Sequence, residues 1–320
     1  MLPKAVIFQI FLSIVGAQGI GNGYPLRIMT FNIWITGENV VDGLYKIAKH
    51  IRIVDPDIVT IQELQSKELF GQLLTELGLD YTGVYHNSSG YPDTAIITKH
   101  KINDALTFQT SATIGTEIEL KSGIVVRFVG AHLAYKSYGP YAAYNKLVTD
   151  IKQIMAGETK PDSWNRAKNI KDLIASKSFK KFAAESDSQP FFVCGDFNSP
   201  SHLDWTEETR SSHGGWVVEW PATKLLADQG FEDSYRVKNP NVTSHPGYTW
   251  STVNKSPEEW DFTIPEPQDR IDFINFKGKR IQVTDSFTYC GMEPVLPIPR
   301  HRNNDYPSDH FAVVSDFVIL

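Results

Sequence analysis

Pro190-Phe191-Phe192-Val193-Cys194-Gly195-Asp196-Phe197-Asn198 is the stretch on which the reading of the whole chain turns. It opens as an apolar, strand-forming run and closes on a carboxylate and an amide. A polar group at the end of a buried strand is costly to place unless something pairs with it. The arrangement recurs three times: 26–30 leads into Phe31-Asn32, 57–61 into Gln62-Glu63, and Ser308-Asp309-His310 adjoins Phe311-Ala312-Val313-Val314. Four such ends gathered at one rim of a sheet make a cluster of hard oxygen ligands, the chemistry that Mg2+ or Ca2+ requires.

Around these runs the chain alternates between strand and helix patterns. Strands are predicted over 26–32, 57–64, 94–99, 125–133, 190–193, 270–276, 280–287 and 311–318. Helical spacing appears at Leu44, Ile47, Ala48 and Ile51, over 67–77 with Gly78 as the stop, over 150–155, and over 164–182 with Ala167, Ile170, Leu173 and Ile174 on one face. Lys277-Gly278 reads as a turn joining 273–276 and 281–287 into a hairpin. Hairpins mixed with helical connections predict an α+β fold, a two-sheet β-sandwich core with helices outside. The motif-bearing strands span Asn32 to His310, so dividing the chain would split the site, and 18–320 is read as a single domain.

The 320 residues are 41% hydrophobic and 21% charged, enough for a sizeable core. A net charge of −6 leaves no global positive field to recruit nucleic acid. A bound divalent cation can still invert the field locally, so phosphate substrates stay open. Residues 1–17 read as a signal peptide, with Lys4 ahead of the apolar 5–15 run and small residues at 15–17, which implies a secreted protein. The run falls short of the roughly 20 residues that span a bilayer. Asn87 and Asn241 head glycosylation triplets, consistent with that route; Asn254 heads a third, with Pro257 behind it. Of the two cysteines, Cys194 sits in a buried-looking strand and Cys290 far from it. A disulfide and two free thiols are both open, and neither cysteine has zinc-ligand spacing.

Six elements in order, Met29-Thr30-Phe31-Asn32, Thr60-Ile61-Gln62-Glu63, Gly130-Ala131-His132-Leu133, Gly195-Asp196-Phe197-Asn198, Asp269-Arg270-Ile271-Asp272 and Ser308-Asp309-His310, resemble the endonuclease/exonuclease/phosphatase superfamily, in its DNase I-like and neutral sphingomyelinase-like branches. The resemblance implies a four-layer α/β/β/α fold and a metal-dependent phosphoric ester hydrolase. It implies Glu63, Asn32 and Asp309 around the metal, which is Mg2+ with Mn2+ or Ca2+ as alternatives. It further implies His310 as general base or charge stabiliser oriented by Asp272, Asp196 on the attacking water, Asn198 and His132 on the phosphate, and Asp93 as the acidic partner of His132. Taken singly, each has a plainer reading: Asn32 as a turn former, Asp196 and Asn198 as an Asx turn, Glu63 as a helix-start acid, His132 as surface or core, Asp309-His310 as an exposed pair. Their joint order is what argues against coincidence.

The substrate is less legible. Phosphate esters of nucleic acid, phospholipid headgroup or small phosphodiester type all fit, with a nuclease-type phosphodiesterase put first and a sphingomyelinase-like or inositol or sugar phosphate phosphoesterase behind it. A non-catalytic binding module on the same fold would be expected to lack one of Glu63, His132, Asp196 or His310, and all are present. Tyr135, Tyr138 and the Tyr-rich 134–144 stretch, with Trp250, are candidate substrate contacts by stacking or by a cation–π cage, or else packing residues. Arg302, in Arg300-His301-Arg302, is a candidate phosphate contact. Lys168, Lys171, Lys177, Lys180 and Lys181 would track a nucleic-acid backbone or form a solvated face. No obligate protein partner is expected, and a monomer is.

Overall fold

The computed structural model describes residues 23–87, 90–160 and 164–320; the 1–17 segment read as a signal peptide lies outside them. Strands β1 (Tyr24–Asn32), β2 (Ile58–Leu64), β3 (Thr82–Tyr85), β4 (Asp93–Thr98), β5 (Lys101–Gln109), β6 (Thr113–Glu119), β7 (Val125–His132), β8 (Phe191–Asp196), β9 (Glu232–Asp233), β10 (Asp272–Lys277), β11 (Ile281–Tyr289) and β12 (Ala312–Ile319) form two six-stranded sheets among the described residues. The first has the order β11-β12-β1-β2-β4-β3, the second β5-β6-β7-β8-β10-β9. Each is antiparallel except for one central parallel pair, β1 with β2 and β7 with β8. Period-2 alternation explains the stacking: Leu26, Ile28, Ile58 and Ile96 point from the first sheet onto Ile114, Phe128, Phe192 and Ile274 of the second, forming a core between the sheets.

The opposite faces take the helices. Helices α1 (Gly43–Val54) and α2 (Lys67–Leu77) lay Ile47, Ile51, Phe70 and Leu73 on the first sheet. Beyond the short turns α3 (Gly139–Tyr144), α4 (Ile151–Ile154) and α5 (Ala156–Thr159), helices α6 (Arg166–Ala175), α7 (Lys177–Ala184) and α8 (Pro221–Ala227) cover the second sheet through Ile170, Leu173, Phe179 and Phe182; α9 (Ser234–Lys238) follows. The layers therefore run helix, sheet, sheet, helix, as expected.

Two local expectations need correcting. The 273–276 and 281–287 segments are not a paired hairpin: β10 pairs with β8 and β9, and β11 pairs with β12 in the other sheet. Lys277-Gly278 carries the chain from one sheet to the other, and Gly278 has φ +139° in a spot where a Cβ would lie 2.3 Å from the Ser186 carbonyl oxygen. The 164–182 helix is two helices. Ser176 has extended ψ, and its Oγ accepts the Phe179 N–H at 3.2 Å, so it ends α6 and caps α7. Cys194 is buried in β8 and Cys290 half-buried; both are free thiols.

Candidate active site

The rim where β1, β2, β7 and β8 end is where the polar ends converge. Asn32, fully buried at the end of β1, donates from Nδ2 to Glu63 Oε1 at 3.1 Å and to Asp196 Oδ2 at 3.0 Å, while its Oδ1 accepts the Trp34 N–H at 3.0 Å. Thus Asn32 ties the two sheets together and fixes two carboxylates at once. Glu63 is turned out of β2 by a register shift between Ile61 and Leu64, and its Oε2 accepts the Ile35 N–H at 2.8 Å. Parallel pairing places Asp196 beside His132.

Two histidine–carboxylate pairs flank Asp196. His132 Nδ1 donates to Asp93 Oδ1 and His310 Nδ1 to Asp272 Oδ2, each at 2.9 Å. Each pair crosses from one sheet to the other, because Asp93 begins β4 and Asp272 begins β10. The Nε2 atoms of His132 and His310 then lie 3.7 and 3.8 Å from the same atom, Asp196 Oδ2. Burial opposes the imidazolium in both rings, but the facing carboxylates outweigh it and raise each to about 10. Burial and the neighbouring Asp272 charge push Asp196 up to about 6 against the pull of the histidines. Burial likewise opposes the Asp93 carboxylate, yet the His132 charge and hydrogen bond bring it below its ordinary value.

Asp309 is buried and its carboxyl is pushed well up, by burial first and by the Glu63 charge as well; its Oδ1 has no partner, and neither has Asp272 Oδ1. Asp196, Asp272 and His310 each bring a ligand atom within 4.8 Å of the others. Asp272 Oδ2 already holds the His310 Nδ1–H, which leaves this trio the unpartnered Asp272 Oδ1 to offer a cation. Glu63 and Asp309, which line the cavity, with the unpartnered Asp309 oxygen, form the hard-oxygen set that fits a divalent ion. Asn198 sits at φ +49°, its backbone N–H given to Asp196 Oδ1 at 2.7 Å and its Nδ2 to the Leu133 carbonyl at 3.1 Å.

The cluster lies at the floor of a cavity of about 820 Å3. Tyr135, Tyr138 and Trp250 line it, Trp250 with its ring centroid 4.8 Å from that of His310. Arg302 does not: it is exposed in the short 3-10 turn His301–Asn303, its carbonyl takes the Val41 N–H, and its neighbour His301 packs on Trp34 instead. Lys168, Lys171, Lys177, Lys180 and Lys181 are exposed on α6 and α7, and none lines the cavity. Asn87 and Asn241 are both exposed. Sequence reasoning passed over Trp34, Gln65, Tyr91, Trp164 and Trp260 in the lining. For Trp34 and Gln65 a signal existed, since each lies two positions beyond a motif residue. The others arrive on loops without periodicity.

Residues 29–310 match the profile described as the Endonuclease/Exonuclease/phosphatase family. The chain belongs to that family. Its members hydrolyse phosphoric esters. The chain is 48% identical over 295 residues, 92% of each sequence, to an uncharacterized protein of Caenorhabditis elegans. A shorter match, 29% over 133 residues, covers 41% of this chain and 16% of the CCR4-Not complex 3'-5'-exoribonuclease subunit Ccr4 of Coccidioides immitis. Among solved structures, D. rerio TDP2 complexed with single strand DNA product superposes with a TM-score of 0.56 at 19% identity, covering 92% of this chain and 98% of that one. The human Nocturnin catalytic domain with bound sulfate gives 0.55 at 18%, covering 92% and 95%. At these identities the family's fold is what is shared.

Proposed function

We propose that this family member is a divalent-metal-dependent phosphodiesterase acting first on nucleotide-type esters. The observation that carries this reading is Asp196 Oδ2, held by Asn32 and faced by the Nε2 atoms of two oriented histidines. A carboxylate so placed receives the proton of an attacking water, and the two imidazolium groups donate to phosphate oxygens as charge builds there. Asp93 and Asp272 hold the ring orientations that make this geometry available. Asn32 and the Ile35 N–H fix Glu63 toward the cavity. Glu63 and Asp309 would hold Mg2+, which when bound neutralises a phosphoryl oxygen and the leaving oxygen. Support for nucleotide-type esters comes from the relatives, whose names carry exoribonuclease and DNA-product descriptions.

The test is hydrolysis of bis-p-nitrophenyl phosphate, single-stranded DNA, RNA and sphingomyelin with Mg2+ and with EDTA, using His310→Ala and Glu63→Gln as controls. Mg2+-dependent turnover that falls at least a hundredfold in both variants is expected. Turnover unchanged in His310→Ala, in a folded protein, would sink the reading. For export, the support is the Lys4 and 5–15 pattern; recovery of the protein from culture medium with its first 17 residues removed is the expected result, and retention inside cells the contrary one.

A further inference from the structure

We propose that the outer part of the cavity is a subsite for one unpaired nucleobase on the ester being cut, gripped by aromatic rings, so that mononucleotide diesters, dinucleotides and single-strand ends are the substrates. This rests on the phosphodiesterase reading above and narrows it. Trp34, Tyr91, Tyr138, Trp164, Trp250 and Trp260 reach the cavity from six separate places in the chain. That density of rings is far beyond what a phosphate needs.

Two of the rings are braced from behind by carboxylates. The Tyr138 hydroxyl donates to Asp269 Oδ2 at 2.9 Å, while Asp269 Oδ1 accepts the Trp205 Nε1–H at 2.8 Å; Asp269 and Trp205 are both buried. Trp250 Nε1–H donates to Glu266 Oε1 at 2.8 Å. With their polar edges engaged, these rings offer carbon surface to the cavity. Rings already fixed lose little rotamer freedom when a flat group stacks on them. Gln65 Nε2 is held by the Glu63 carbonyl and Gln153 Oε1 by the Thr149 and Asp150 N–H groups, which leaves the Gln65 amide oxygen and the Gln153 amide nitrogen to meet a base edge.

Charge sets the length of the ligand. Lys136 is the one Lys or Arg among the described lining residues, and the lysines of α6 and α7 lie elsewhere. A long strand bound through its backbone needs a series of cations, and each neutralised phosphate steepens the salt dependence. Here one phosphate meets the catalytic cluster, and stacking supplies the remainder. Bases inside a duplex have both faces covered and cannot use the rings.

The experiment compares kcat/KM for p-nitrophenyl thymidine 5'-phosphate, p-nitrophenyl methyl phosphate and p-nitrophenyl phosphocholine, then for a dinucleotide, a 20-mer single strand and its duplex, at low and moderate salt. Expected are a preference of about tenfold or more for the thymidine over the methyl ester, no gain from strand length, little salt dependence, and a duplex rate far below the single strand. Trp260→Leu and Trp164→Leu should raise KM for the thymidine ester. Equal rates on thymidine and methyl esters would overturn the subsite while leaving the phosphodiesterase intact, and a preference for the choline ester would overturn it in favour of a cationic headgroup. If no ester is cut by folded protein, the phosphodiesterase reading fails instead. Quenching of tryptophan fluorescence by thymidine monophosphate then decides the subsite alone: saturable, salt-insensitive quenching supports it, and its absence refutes it.

Discussion

Several residues at the site stand in a backbone conformation that L-amino acids rarely adopt. Glu63, Asp93 and Asn198 have φ of +66°, +53° and +49°, and Trp34, Ile35 and Thr36 form a consecutive left-handed run beside them. For Asn this is mild; for a β-branched residue such as Ile35 it costs on the order of 1 kcal/mol. The return on that strain is the Ile35 N–H aimed at Glu63. Ile35→Gly relieves that strain but adds glycine's unfolded-state entropy, so unfolding free energy should stay within about 1 kcal/mol of the parent in denaturant melts, while kcat falls because the loop holding Glu63 loosens. A loss well beyond that would contradict the strain. The His132–Asp93 pair makes a pH statement. Folded His132 keeps its proton up to about 10, whereas the unfolded ring releases it near 6.5, so the folded chain binds more protons in between. Stability from this pair is complete below pH 6.5 and is lost as pH rises through about 10. Melting temperatures across that window should fall less steeply in Asp93→Asn, and the His132 ring resonances should titrate nearer the ordinary value.

At the scale of elements, β8 is the strand on which the site depends. Gly195 has φ +147°, and a Cβ there would meet the Ala131 carbonyl oxygen of β7 at 1.9 Å. Gly195→Ala must push β7 and β8 apart where His132 and Asp196 stand, with an expected loss of about 3 kcal/mol in a thermal melt and of most activity. A melt within error of the parent would mean that the strand ends have slack. Ser176→Ala removes the α7 cap and should cost about 1 kcal/mol with activity kept, since α7 is remote from the cavity. The motif strands were legible because polar residues interrupt apolar runs at Asn32, Glu63, Asp196 and His310. By contrast, β5 was not, since its residues are largely exposed or half-buried and leave no regular alternation. The β10–β11 error has a physical origin too: a Gly turn between two apolar runs looks the same whether the runs pair or part. The pairing of His132 with Asp93 came from resemblance alone; Asp269 stood inside a motif without its role as a brace showing, and Glu266 and Trp205 left no pattern, because each acts through a contact distant in sequence.

For the molecule as a whole, the site exists only where both sheets meet, since Asn32–Asp196, His132–Asp93 and His310–Asp272 all cross between them. Buried carboxylates crowd that junction, so Mg2+ should stabilise the entire fold. At a hundred times its Kd it would add about 2.7 kcal/mol, and EDTA should lower the melting temperature by several degrees, less so in Glu63→Gln. No EDTA effect on the parent would argue against an ion at Glu63 and Asp309. The two sheets also share one order of strand directions: antiparallel, antiparallel, parallel, antiparallel, antiparallel. Laid head to tail, they match β1 with β8, β2 with β7 and β12 with β10, so one strand plan is used twice. Asn32–Asp196 and His310–Asp272 are then bonds between corresponding positions of the two sheets. A phosphodiester undergoing in-line displacement has a matching near-symmetry, with the entering oxygen on one side of phosphorus and the leaving oxygen on the other. On the phosphodiesterase reading proposed above, the like halves would present one face to each, and the unlike residues at corresponding strand ends, Glu63 and His132, would set the metal side of the phosphate apart from the imidazolium side.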